Sequence, residues 1–366
     1  EAMASPSKSS LFTGLYPPRH GAFEEFSFVR RDLAATWPHW FSALGYRVTL
    51  AGVPGFGPRQ VFPFDYQPLD SVPRYLRLQH AKPFCLIVSL PVLEDFPSSS
   101  QSEAPVPAYA VDTPETRRWM GRYRDSLHAM DRWIGEVLPH IKGNTITVYT
   151  SAHGPSLPFA KWSLYDAGIH VPLLIRWPGV TPAESQAMVS LIDVLPTLLE
   201  ACGGAPPAGI DGASFLPVLT GRAAHHRQEI YAVHHNRGSV SGSDCPMRAV
   251  RTKSHKYIVN LKHWIHFGNI WWRGNDGSDS RDPVRRPPPA LWQEWLFLAA
   301  RNEHAMNRTA LWRVRPAAEL YDLQSDPHEL KNLAAEEEVA AVRTELHRKL
   351  TVWMGAQKDK WLGFLE

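Results

Sequence analysis

The chain is poor in cysteine, has no long apolar run and carries no block of like charge. Its 366 residues include only three cysteines, Cys85, Cys202 and Cys245. At most one pair of these could bridge, which excludes a closed disulfide framework. Cys85 sits in the apolar run Phe84 to Leu90 and reads as a buried thiol rather than a redox centre. No stretch of about 18 uninterrupted apolar residues occurs, so no helical membrane span is expected. The formal charge of +3 is too small to argue for nucleic acid. The first residues do not read as a signal peptide, and no internal repeat is visible.

What is there belongs to a globular chain, with 44% hydrophobic and 20% charged residues. The length suits one large domain plus a smaller one. Apolar spacing predicts a helix over 31–44, stopped by Gly45, and then a strand from Tyr46 to Leu50. The apolar run Phe84 to Leu90 reads as a buried parallel strand. Thr113-Pro114-Glu115 is an N-cap opening a long helix to about His140. Further strands are expected at Asn144 to Thr150 and His170 to Trp177, with a helix from Ser190 to Ala201.

After Gly221 the texture changes. Glu229 to His234, Met247 to Arg251 and Tyr257 to Leu261 read as short strands of an antiparallel sheet. Residues 268–290 read as a surface loop, and Glu336 to about Trp353 as a final helix. The domains expected are therefore residues 1–224, an α/β unit, and residues 225–366, a smaller α+β unit.

Several segments carry a recognisable pattern. Ala4-Ser5-Pro6-Ser7-Lys8-Ser9-Ser10-Leu11-Phe12-Thr13-Gly14 continues into Leu15-Tyr16-Pro17-Pro18-Arg19-His20-Gly21. Thr150-Ser151-Ala152-His153-Gly154 is followed by Lys161-Trp162-Ser163-Leu164-Tyr165-Asp166. Leu191-Ile192-Asp193-Val194-Leu195-Pro196-Thr197, Gly209-Ile210-Asp211-Gly212, Cys245-Pro246-Met247-Arg248 and Glu319-Leu320-Tyr321-Asp322-Leu323 complete the set. In this order and spacing they resemble the sulfatase family, and the C-terminal segments resemble its sulfamidase (heparan N-sulfatase) branch. The resemblance implies an alkaline-phosphatase-like α/β fold, a large mixed sheet flanked by helices with a smaller C-terminal α+β subdomain. It also implies a calcium-dependent ancestor whose nucleophile is a formylglycine made from cysteine, in a family typically secreted, periplasmic or lysosomal.

Against that family pattern the chemistry is depleted. Ala4 stands at the formylglycine position, and a methyl group can be neither nucleophile nor ligand. Ser5, the nearest hydroxyl, is one position out of register. Ala152 stands where the family has a metal-binding aspartate. His153 remains, but calcium prefers oxygen, so a structural role is expected. Lys8 replaces the signature arginine, keeping charge and losing the rigid fork. Val53 and Gly55 fall where the family has the lysine and histidine of Gly-Lys-x-His. The turn from Pro91 to Phe96 lacks the family's histidines, and its Glu94-Asp95 pair reads as solvated. Lys161 and Arg248 match family positions. Lys8 and Lys161 could form a weak anion site, although solvated lysines are commoner. Arg248, His234 and His235 are candidate substrate contacts, although histidines beside a loop are usually structural or exposed. Asn307-Arg308-Thr309 is a sequon, meaningful only in a secreted eukaryotic protein.

The expectation is a catalytically inactive homologue, a pseudoenzyme, acting as a binding or structural subunit without a cofactor. Its partner would be an active paralogue, another protein subunit or a sulfated glycan. The alternative is an active sulfate-ester or sulfamate hydrolase holding calcium. In that case an upstream segment would supply the family's metal-binding aspartate pair, and the sequence leaves this open.

Overall fold

The computed structural model describes residues 1–24, 27–33, 35–91, 103–235, 244–267 and 290–365. Glu94, Asp95 and residues 268–289 of the loop expected over 268–290 lie outside these residues, and residue 290 opens a helix instead.

A parallel sheet is built on β1 (Arg47–Gly52), which lies between β2 (Asp65–Gln67) and β3 (Phe84–Ser89). Val48, Thr49, Leu50 and Ala51 are all buried, as a strand covered on both faces requires. The register pairs Arg47 with Phe84 and Gly52 with Ser89, so β1 and β3 end at the same level. Five of the six β3 residues are only half-buried, because among the described residues β3 pairs on one side alone. A second pair, β4 (Thr147–Thr150) and β5 (Leu173–Arg176), is antiparallel.

Around these strands lie α1 (Ala4–Thr13), α2 (Pro17–His20), α3 (Trp37–Ala43) and α4 (Val72–Arg77). Next come α5 (Pro114–Val137), α6 (Asp166–Ile169), α7 (Val194–Ala201) and α8 (Leu216–Leu219). The α5 start is as expected, with the Thr113 hydroxyl accepting from the Thr116 amide. The helix expected over 31–44 is shorter. It opens only at Trp37, where Thr36 and His39 form a reciprocal cap and Pro38 suits the first turn. One apolar cluster joins Phe12 of α1, Trp37 and Phe41 of α3, Leu50 of β1 and Leu195 and Leu199 of α7.

The C-terminal part holds a four-stranded antiparallel sheet in the order β6 (Ile230–His234), β7 (Met247–Arg251), β8 (His255–Asn260), β9 (Ala318–Asp322). Helices α9 (Ala290–Ala299), α10 (Glu303–Arg313) and α11 (Ala340–Ala356) accompany it. The strand period of two divides its side chains between two cores. Val233, Val250, Tyr257, Val259 and Leu320 pack with Leu346, Leu350 and Trp353 of α11. Ala232, Met247, Ala249, Ile258 and Tyr321 face the other way, against Phe159, Trp162, Leu164 and Tyr165 and the tryptophans of α9 and α10. Strand β9 and helices α9 and α10 were not anticipated from the sequence.

Phe12 contacts Trp37, Phe56 and Phe64 with ring centroids 5.5, 4.9 and 5.6 Å away. Phe12→Ala should therefore cost about 3–5 kcal/mol in denaturant unfolding. A loss below 1 kcal/mol would mean that α1 is not anchored by this ring.

Candidate functional site

Helix α1 carries the site, and its sequence explains how. Seven of its ten residues are buried: Ser5, Pro6, Ser7, Ser9, Ser10, Phe12 and Thr13. The three that stay partly open, Ala4, Lys8 and Leu11, follow helical spacing and form one stripe. Three of the buried hydroxyls are engaged locally, while Ser9 Oγ meets no partner among the described residues. Ser5 donates to Ser27 O at 2.8 Å and Thr13 to Ser9 O at 2.7 Å. Ser10 Oγ meets His20 Nε2 at 3.0 Å. Because His20 Nδ1 accepts from the Ala22 amide, Nε2 carries the proton and donates to Ser10. Burial pushes the His20 imidazole down to about 3. Ser5 is thus turned away from the Ala4 stripe and held by a backbone carbonyl.

Lys8 lies one turn after Ala4 and reaches the carboxyl ends of the parallel strands. Its ammonium donates to Ser89 Oγ at 2.9 Å, Pro54 O at 3.2 Å and Val53 O at 3.3 Å. Crevices at strand carboxyl ends are where α/β sheets place their ligands. A Cβ on Gly55 would lie 3.6 Å from Lys8 Nζ, so both substituted positions, 53 and 55, surround this ammonium. Burial lowers the Lys8 pKa to about 8. The expected solvated lysine is therefore a half-buried tether between α1, β1 and β3. Ser89 was passed over in the sequence; its position, closing an apolar strand, was the available signal.

Strand β4 delivers Ala152 and His153 to the same place. His153 Nδ1 lies 2.7 Å from Gly154 O and so donates to it. Burial, reinforced by the charges of Lys161 and Lys8, pushes its pKa down to about 3. Lys161 is 5% exposed, also unlike a solvated lysine, and its ammonium lies 4.8 Å from the Trp162 ring. Trp162 N donates to Ala2 O at 3.1 Å, which fixes this segment beside the start of α1. The structure therefore brings together Lys8, His153 and Lys161 next to the Ala4 helix start.

The fit of this donor set to calcium is poor. A hard cation needs several oxygens, charged ones among them. Here the carbonyls of Val53 and Pro54 are taken by an ammonium. Among the described residues, no group of three or more His, Cys, Asp or Glu side chains is placed to hold a metal.

Arg248, His234 and His235 lie elsewhere, inside the protein. Arg248 is fully buried and grips Asp359 through Nε at 2.5 Å and Nη2 at 2.9 Å. Its Nη2 also donates to His235 Nε2 at 3.0 Å, which leaves the His235 proton on Nδ1. His235 stacks on Phe23 at 4.5 Å, and burial followed by the Arg248 charge pushes its pKa well down. His234 Nδ1 meets the Glu1 carboxylate at 2.8 Å, with neither side chain exposed. All three candidate substrate contacts are committed to protein partners.

The fold is of the alkaline-phosphatase-like α/β class, with the Ala4 and Lys8 stripe at the strand carboxyl ends. Residues 59–204 match the family described as sulfatase, and residues 154–279 match the C-terminal family of N-sulphoglucosamine sulphohydrolase. An ulvan-active sulfatase of Formosa agariphila is 30% identical over 98% of this chain and 72% of its own length. Human N-sulphoglucosamine sulphohydrolase is 25% identical over 98% of this chain and 82% of its own. A solved structure described as complexed with its substrate D-glucosamine-2-N,6-O-disulfate superposes with a TM-score of 0.70. It is 17% identical and covers 98% of this chain and 89% of its own. The chain belongs to the sulfatase family.

Two outcomes follow from this geometry. Arg248→Met strands the buried Asp359 carboxylate and should cost about 3–5 kcal/mol. Pairing it with Asp359→Leu should recover much of that in the same urea titration, and no recovery would contradict a coupled pair. His20 and His153 stay neutral when folded but titrate near 6.5 when unfolded. Their contribution is complete above about pH 6.5 and is lost as pH falls toward 3. Between pH 6 and 4 the protons taken up on unfolding should drop by about one in His20→Gln. An unchanged slope of stability against pH would show that His20 is not held neutral.

Proposed function

We propose that this chain is a catalytically inactive sulfatase-family protein, a pseudoenzyme, acting as a binding or structural subunit. The observation that carries the reading is at the head of α1. At the formylglycine position Ala4 offers a methyl group, and one turn on, Lys8 occupies the strand-end carbonyls with its ammonium. Nucleophile, metal and sulfate clamp would all have to act at this one place. Ala4, Val53, Gly55 and Ala152 are four substitutions around it. Ser5 is no replacement nucleophile, since its hydroxyl is held by Ser27 O.

The relatives named for ulvan and for N-sulphoglucosamine support a sulfated saccharide as what the cleft would contact. Lys8 and Lys161 supply the matching charge. A protein partner, an active paralogue among them, is the other part of the proposal. Among the described residues no helix is long and apolar enough to cross a membrane.

The test is turnover with metal content. The pure full-length protein should hydrolyse neither N-sulfoglucosamine nor an aryl sulfate above the uncatalysed rate, and should carry no stoichiometric calcium. Ala4→Cys, coexpressed with a formylglycine-generating enzyme, should stay inactive because positions 53, 55 and 152 still lack the family's lysine, histidine and aspartate. Turnover by the unmodified protein would establish the alternative, an active calcium-dependent hydrolase.

A further inference from the structure

The side-on edge of arginine, Nε with Nη2, grips two oxygens at once. This chain uses that fork repeatedly: Arg117 on Asp112, Arg227 on Asp193, Arg248 on Asp359 and Arg348 on Glu345. Arg315 is different. It is only 4% exposed, yet neither Nε nor Nη2 meets an acceptor among the described residues. Its remaining nitrogen, Nη1, reaches Tyr165 Oη at 3.5 Å.

Among the described residues, no carboxylate accepts from the Arg315 fork. Phe267 and Trp312 lie 4.6 and 5.0 Å from the guanidinium carbon. Their π-faces offset part of the charge but offer no lone pair to the fork. Glu319 is occupied, accepting from the hydroxyls of Tyr165 and Tyr321 and from Asn260 Nδ2. Arg308, equally buried, contacts the same cluster with its guanidinium carbon 3.5 Å over Phe159. Two guanidinium groups thus share one carboxylate, and a buried charge without a counter-charge is strongly unfavourable.

Arg315 also lines a small, half-open cavity with Cys245, Pro246, Asn260, Lys262 and His263. Lys262 is balanced there by Asp244 at 2.9 Å. Asn260 spends its amide N–H groups on Pro316 O and Glu319, while its buried Oδ1 meets no donor. The cavity therefore offers a two-pronged donor and a single acceptor. We infer that the Arg315 cavity binds a small planar monovalent oxyanion of the carboxylate or hydrogencarbonate kind. Two oxygens would lie on the fork, and hydrogencarbonate would add an O–H for Asn260 Oδ1. The site stands apart from the Ala4 cleft and does not depend on the function proposed for it.

Thermal unfolding at pH 8 and constant ionic strength tests this, with sodium formate or hydrogencarbonate replacing gluconate. Binding to the folded state alone should raise Tm by about a few °C and saturate. Arg315→Lys, which keeps charge but loses the fork, should need at least tenfold more formate for the same rise. In the wild-type protein one arginine side-chain Nε–H resonance should shift with the same half-saturation, a readout that does not require the variant to fold. Equal Tm in formate and gluconate, an undiminished response in Arg315→Lys, or no shifting arginine resonance would overturn the proposal.

Discussion

Everything around the cleft depends on burying a serine-rich helix. Helix α1 withdraws Ser5, Ser7, Ser9, Ser10 and Thr13 from water together with Phe12, and buried hydroxyls are tolerated when neighbours accept their hydrogen bonds. Thr13 folds back on Ser9 O, Ser10 is answered by a neutral His20, and Ser5 by the Ser27 carbonyl. The helix then ends at Gly14, whose φ of 68° suits glycine and whose amide donates to Ser10 O. Gly14 O in turn accepts from the amides of Asp211 and Gly212. Most of the signature is thus a folding motif, and its polar residues are fixed by packing. Ala4 lies outside that constraint, on the open stripe, where a change of side chain leaves the helix seated.

Two buried carboxylates extend the same logic to motifs far along the chain. Asp193 receives the Ser190 and Ala213 amides and both prongs of Arg227. Asp211 receives Tyr16 N, Arg19 Nη1 and Gln357 Nε2, joining the end of α1 and α2 to the turn after α11. Gly212 cannot be larger, since a Cβ there would lie 2.0 Å from Ile192 O. Losing any of these would unseat several elements at once. Their presence therefore says nothing about turnover, and a family pattern can stay dense whatever stands at the reacting positions.

This is also why the sequence was readable in some places and not in others. The helix at Thr113, the strand at Phe84 and the three strands at 230–260 announce themselves through local cap chemistry and periodicity. Helices α9 and α10 do not, because neither shows a clear apolar stripe, and their tryptophans settle into a core shared with distant strands. The substituted positions at 4, 53, 55 and 152 were legible as residues, because a family pattern fixes where to look. What fills them was not. That Lys8 turns onto the Val53 and Pro54 carbonyls, or that Arg248 closes on Asp359 111 residues away, depends on tertiary approach that spacing does not encode.

Lys8 supplies the positive partner for acceptors gathered from two strand ends. Carbonyl oxygens converging at strand ends need a positive partner once they are drawn away from water, and a divalent ion is one solution. An ammonium on a four-carbon stem is another: it satisfies three acceptors without desolvating an ion from bulk. Under the proposed reading, with Lys161 and a neutral His153 in the same cluster, the site relies on a tethered charge rather than an exchangeable one. A tethered charge can still attract an anion, but it cannot activate a nucleophile that is not there. Under the proposed reading, binding therefore outlives reaction.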